Sequence, residues 1–134
     1  MLTLIGYWKG ASAAQWPAAE VWVDPNWDPE ERHAVIEWLR SGERVRSSMG
    51  WSTCRFCDRP NGTDELSDGS YIWPEGLEHY LVEHQVRLPR AVIQRACERP
   101  EIPRNRLQDS DIGSGDIHVD WWRQLKPDWP NTRA

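Results

Sequence analysis

A chain of 134 residues, 39% hydrophobic and with a mean hydropathy of −0.76, fits one domain with a moderate core, and its ten tryptophans supply apolar area that the low hydrophobic fraction withholds. The formal net charge of −5, without a long basic run, sets electrostatics against general nucleic-acid binding. No apolar run approaches the ~18 residues of a membrane span, and Met1 to Gly6 lacks the positive start and the length of a signal peptide, so a cytoplasmic protein with no membrane segment is expected.

Leu2 to Trp8 is an apolar, β-favouring run that ends at Lys9-Gly10 and reads as a strand. Residues 10–16 are small and polar. Beyond them either Pro17 to Trp22 opens a short helix or Glu20 to Val23 forms a strand, and the pattern fits both. Asp28-Pro29-Glu30-Glu31 is a dense start signal, with Asp28 as cap, Pro29 in the first turn and Glu31 completing a capping-box-like arrangement. The helix it opens runs to about Ser41, carries Val35, Ile36, Trp38 and Leu39 on its apolar side and stops at Gly42. His33 falls on its exposed or flanking side and reads as a surface residue.

Arg44 to Trp51 alternates imperfectly and is expected to be a strand leading to Cys54. Thr63 to Leu66 and Ser70 to Trp73 flank the turn Ser67-Asp68-Gly69, which predicts a β-hairpin. Pro74 and Glu75 suit the first turn of a helix in which Leu77, Tyr80, Leu81 and His84 recur at helical spacing, and Pro89 ends it. Another helix is expected over Pro89 to Cys97, with Cys97 a small buried apolar residue. Residues 99–115, interrupted by Pro100 and Pro103 and rich in Asp, Ser and Gly, read as a loop or linker. Near the end, Asp116, His118 and Asp120 would share one face of a strand and invite a metal. Asp120 as N-cap of a short helix carrying Trp121, Trp122 and Leu125 explains the same residues without one. The tail from Pro127 is expected to fray.

One constellation points to chemistry. Cys54-Arg55-Phe56-Cys57 can aim two thiolates at one point, with backbone N–H groups bonding the sulfurs, and His79 and His84 follow with four residues between them. Cys54, Cys57, His79 and His84 read as the four ligands of one tetrahedral zinc ion. At about 100° per residue, however, an undistorted helix sets the two histidines roughly 140° apart. A widened turn, or a His84 just past the helix end, would close that angle. The segment His79 to His84 has one residue too many for the inverted zinc-peptidase motif H-x-x-E-H. A thioredoxin-like redox role is disfavoured because a turn, Asp58 to Gly62, follows the cysteines where a helix would be needed. Four protein ligands leave no position for a reactive water, which indicates a structural metal. With two of three cysteines so used, Cys97 stands alone, which agrees with a reducing compartment and not with a disulfide scaffold.

The fold class that follows is α+β. A zinc-finger-like knuckle, β-hairpin and helix pack with an N-terminal strand and further helices in a single domain over 1–98, followed by the 99–115 linker and a C-terminal helix and tail over 116–134.

The run Cys-Arg-Phe-Cys, Asn61-Gly62, then Trp73-Pro-Glu-Gly-Leu-x-His79-Tyr-x-x-x-His84 resembles a family of small uncharacterised bacterial proteins, and Ile5 to Trp8 and Val23 to Leu39 extend the likeness across Met1 to Leu88. The resemblance implies the zinc-ligand quartet and a bacterial cytosolic origin, and no activity.

Three function classes are weighed. The first is a structural-zinc module that binds a protein partner or regulates one, motivated by the excess of tryptophan and arginine, residues enriched at interface hot spots. Its contact surface is placed on Trp121 and Trp122: adjacent helix positions point about 100° apart, so one narrow stripe can hardly bury both. The second is a zinc-finger-like nucleic-acid binder using Arg55, Arg59, Arg87 and Arg90, opposed by six arginines against eight acidic residues within 51–100. The third is a zinc-dependent hydrolase drawing on Glu83 or Asp68, for which no nucleophile, phosphate loop or paired-acid motif speaks.

Overall fold

The computed structural model describes residues 2–10, 14–47, 53–98 and 117–128. Strands β1 (Leu2–Leu4), β2 (Glu43–Ser47), β3 (Asp64–Ser67), β4 (Tyr71–Pro74) and β5 (Ile117–His118) form one sheet. Its order is β2-β3-β4-β1-β5. The three middle strands in sequence make an antiparallel meander, while β1 runs parallel to both β4 and β5. Helices α1 (Pro29–Ser41), α2 (Leu77–His84), α3 (Arg90–Glu98) and α4 (Asp120–Arg123) complete an α+β domain with a mixed five-stranded sheet among the described residues.

β1 stops earlier than the apolar run suggests, because the chain turns at Gly6. Its φ is +84°, and a Cβ there would lie 2.7 Å from a methyl of Leu77; only glycine fits. The turn lifts Trp8 out of the sheet and into the core. The undecided segment after it is a 3-10 helix, Ala19–Trp22, that buries Trp22.

α1 begins as its sequence predicts, with Asp28 Oδ2 accepting from Glu31 N at 3.0 Å. The carboxylate of Glu31 does not return to the cap. It accepts from Trp27 Nε1 at 2.7 Å and fixes that ring at the helix entrance. The β3–β4 hairpin is also as expected: Asp68 Oδ1 accepts from the backbone N of Ser70 at 2.9 Å and of Tyr71 at 2.8 Å. The other Asp68 oxygen accepts from Trp38 Nε1 at 3.3 Å and Arg95 Nε at 2.8 Å, which ties the hairpin turn to α1 and α3.

Three expectations are corrected. Pro74 closes β4 and does not open a helix; α2 starts at Leu77. Cys97 is exposed, since α3 buries Val92, Ile93 and Ala96 and the next residue points about 100° off that stripe. Asp120 is the first residue of α4 with Val119 in the cap position, and its side chain makes no cap hydrogen bond. Of the pair Trp121–Trp122, Trp122 is wholly buried and Trp121 half-buried, so one of the two rings keeps part of its surface in solvent. The part of the expected strand beyond Ser47 lies outside the described residues, as do the loop placed at 99–115, Asp116 and most of the expected frayed tail.

The core is aromatic at its centre. The Trp8 ring lies 5.1 Å from Trp122, 5.8 Å from Tyr80 and 6.5 Å from Trp22, centroid to centroid. Trp122 Nε1 donates to Tyr7 O at 2.6 Å. β5 pairs Ile117 with Leu2 and His118 with Thr3, so the C-terminal segment belongs to the same sheet and core as the rest. Asp128 Oδ1 then accepts from Arg90 N at 3.1 Å, at the first residue of α3. Truncating Trp122 to alanine is expected to cost about 3–5 kcal/mol in urea denaturation, whereas Trp121→Ala, at a half-buried position beside Tyr71, should cost clearly less.

Candidate metal centre

The two halves of the site are built by different means. Residues 53–60 fold back on themselves through a bridge between Thr53 and Pro60, with Cys54 N donating to Arg59 O and Asp58 N to Cys54 O, each at 2.9 Å. Asp58 takes a φ of +60°, a conformation that short polar side chains tolerate. Within this knuckle Phe56 N donates to Cys54 Sγ at 3.4 Å, the sulfur contact expected of a Cys-x-x-Cys turn. Cys54 is fully buried and Cys57 exposed.

The second half is α2, and its last turn is widened. Gln85 adopts a left-handed φ of +58°, and its N–H reaches the carbonyl of Tyr80, five residues back. Val86 N donates to the same carbonyl at 3.2 Å. His84 is the last helical residue before that capping turn, and its ring reaches toward His79. Their ring centroids are 5.0 Å apart, so the angular obstacle posed by regular helix geometry is removed.

As a result, Cys54, Cys57, His79 and His84 each offer a ligand atom, all within 4.8 Å of one another. Cys57 Sγ lies 3.3 Å from His79 Nε2. A tetrahedral ion with bonds of about 2.0–2.3 Å has edges of about 3.3–3.8 Å, so closing the cluster on an ion takes shifts of about 1 Å or less. The Nε2 of His84 is buried with no hydrogen-bonding partner among the described residues, an arrangement that costs free energy unless something satisfies it. These four residues could hold a metal ion.

What presses the halves together does not depend on a metal. Tyr80 Oη accepts from Arg55 N at 2.9 Å, and burial pushes the Tyr80 phenol up to about 12. Asn61 Nδ2 donates to Gly76 O at 3.0 Å. Glu75 Oε1 accepts from Thr63 N at 2.7 Å and Asp64 N at 3.1 Å, while Glu75 N donates to Asp64 O at 2.9 Å. The Glu75 carboxylate crosses directly over Gly62, where a Cβ would lie 2.1 Å from Oε1 at a φ of +89°. Asn61-Gly62 and Pro74-Glu75-Gly76 thus form a clamp, which the sequence displayed only as a turn and a helix start. Phe56, also unremarked in the pattern, stacks on the His84 ring at 4.7 Å.

Other expected positions stand apart from the cluster. His33 is exposed and lies 3.7 Å from Glu37 Oε1, as a surface histidine would. His118 and Asp120 are exposed near the sheet edge and join no metal-binding group among the described residues. Trp121 is half-buried, its ring 6.2 Å from Tyr71. Beside α2 a groove of about 370 Å³ is lined by Arg40, Asn61, Glu78, His79 and Glu83 among others, with Arg40 paired to Glu78.

No protein-family model, curated protein or solved structure matches the chain.

Burial, followed by the neighbouring His84 and Arg59, lowers the pKa of His79 and favours the neutral, ligating imidazole. Burial raises the Cys54 thiol above its ordinary 9.0, against the pull of the Phe56 and Cys57 backbone N–H groups. Near neutral pH the metal-free chain therefore keeps Cys54 protonated, and an ion must expel that proton to bind. Protons compete with the metal at any pH below the thiol's own pKa, so affinity should rise with pH through the neutral range. Calorimetric zinc titrations in buffers of different ionisation enthalpy should show proton release, with weaker binding near about pH 6 than near about pH 8.

Proposed function

We propose that Cys54, Cys57, His79 and His84 bind one zinc ion as a structural centre, in a cytoplasmic module that contacts a protein partner. The observation that carries this is the convergence of two sulfurs and two imidazoles within 4.8 Å. Thiolate and imidazole together favour zinc over the hard cations, and a full set of four protein ligands suits a structural site. The centre joins the knuckle to α2, which in turn buries Leu77, Tyr80 and Leu81 in the core.

A hydrolase would need an open coordination position. The groove beside α2 gives that alternative some support, but His79 alone of the four ligands lines it, and Glu83 there would have no metal-bound water to activate. Nucleic-acid binding would need a connected arginine face. Arg87 is instead tied to Asp24 at 2.9 Å beneath the Trp27 ring, and Arg55 donates to the carbonyl oxygens of Trp8 and Thr53.

The partner contact is assigned to Trp121, since Trp122 is spent on the core. Trp121→Ala should leave thermal stability nearly unchanged and abolish capture of the native partner in a pull-down; a lowered melting temperature with capture intact retires the assignment.

Zinc near one equivalent per chain is expected in protein purified without chelator. Cys57→Ser or His79→Ala should reduce it and lower hydrogen-exchange protection over the knuckle, residues 53–60, more than over α1. Equal loss in both regions would mean that zinc supports the whole domain, and absence of stoichiometric zinc would end the proposal.

A further inference from the structure

The four ligands are unequally placed. Cys57 is exposed, whereas Cys54, three residues away along the turn, is fully buried. The two sulfurs are within 4.8 Å of each other, so rotation of the Cys57 side chain toward Cys54 would allow a bond between them. A small oxidant can reach the first sulfur from solvent. The second waits behind it, positioned to resolve the product before further oxidation.

We infer that Cys54 and Cys57 form a peroxide-sensitive modification site, whose oxidation to a disulfide releases the metal and unlocks the knuckle while the rest of the fold stays in place. This rests on the zinc reading above. The thiolate of Cys57 attacks one oxygen of hydrogen peroxide: an S–O bond forms, the O–O bond breaks, and the departing hydroxide takes a solvent proton and leaves as water. The thiolate of Cys54 then attacks the sulfur of that sulfenic acid. An S–S bond forms, the S–O bond breaks, and a second hydroxide leaves as water with another solvent proton. Two electrons pass from the sulfurs to the peroxide. Zinc is left with two imidazoles, half of its ligands, and dissociates.

The confinement of the change follows from the clamp. Asn61, Glu75 and the bonds between Asp64 and Glu75 hold the hairpin to the start of α2 without using a ligand atom. Trp8, Trp22 and Trp122 hold the core around Tyr80. Residues 54–59 have less. Their side-chain ties to α2 are the ligand cluster, the Arg55 N to Tyr80 Oη bond, and the Phe56 ring against Tyr80 and His84. When His84 loses the ion its ring is released, and Phe56, already 39% exposed, loses its backing. Oxidation would thereby be reported at the surface by an aromatic side chain.

The test uses the full chain loaded with zinc and treated with excess hydrogen peroxide, with the released metal read by a metallochromic chelator and the cysteines mapped by mass spectrometry without reduction. Stoichiometric zinc release is expected together with a Cys54–Cys57 disulfide, reversed by dithiothreitol and added zinc. Hydrogen-exchange protection should fall over residues 53–60 and persist in β3 and β4. Cys97→Ser should release zinc to the same extent. Zinc retained under peroxide, release with Cys57 sulfinic acid and no disulfide, a disulfide to Cys97, or protection lost across the hairpin would each overturn the inference and leave the structural-zinc reading standing. A chain that holds no zinc before peroxide is added would remove both.

Discussion

The carbonyl oxygen of Tyr80 is the point on which the site turns. In a regular helix it would accept one bond, from the N–H four residues on, and His84 would face away from His79. Here it also accepts from Gln85 and Val86, just past the end of α2. The same residue then acts through two more groups. Its ring packs on Trp8 in the aromatic centre, and its hydroxyl oxygen receives the Arg55 N–H of the knuckle. Core, helix end and knuckle are thus referenced to one side chain, and a displacement of Tyr80 would be felt in all three.

That arrangement separates what folds the chain from what a metal adds. Small zinc fingers lack a core large enough to stand without the ion, and their binding free energy is their folding free energy. Among its described residues this chain has six buried tryptophans, Trp8, Trp22, Trp27, Trp38, Trp73 and Trp122, in a core that spans the sheet and the four α-helices. Each large apolar side chain so buried stabilises the fold by roughly 1.5–3 kcal/mol. The four residues that could hold a metal lie at the margin of that core: Cys54 is inside it, whereas Cys57 is in water. An ion there would act on the placement of one loop relative to one helix.

Much of this was readable beforehand where the signal is local. The cap at Asp28, the turn at Asp68-Gly69 and the apolar stripe of α1 depend on residues within a few positions of one another, and each appears where its letters place it. The quartet itself was legible because ligand chemistry restricts residue type and spacing so tightly. What did not show was decided by distant partners. Pro74-Glu75 has the letters of a helix start, yet the Glu75 carboxylate is taken up by backbone N–H groups of Thr63 and Asp64, and Pro74 pairs with Glu65 in the sheet. Cys97 missed the core by a single helical position. Trp122 looked available because no local pattern shows that Tyr7 O and the Trp8 ring will lie against it.

The reason Trp122 is buried and Trp121 is not lies in the parallel pairing of β5 with β1. Leu2 faces Ile117 and Thr3 faces His118, which fixes both the direction and the register in which the chain enters α4. A four-residue helix has too few hydrogen bonds to hold itself, so its rotation is set by that entry and by the contacts its rings can reach. From this start Trp122 meets the gap among Trp8, Trp22 and Tyr7, where its ring is enclosed and its N–H finds a carbonyl. Trp121, about 100° around the same turn, meets the half-buried Tyr71 at the start of β4 and keeps part of its ring in solvent. A slip of β5 by one residue against β1 would reverse the faces of Ile117 and His118 and change which ring enters the core. The sheet edge therefore decides which of two adjacent tryptophans is enclosed by the core and which keeps part of its ring in solvent.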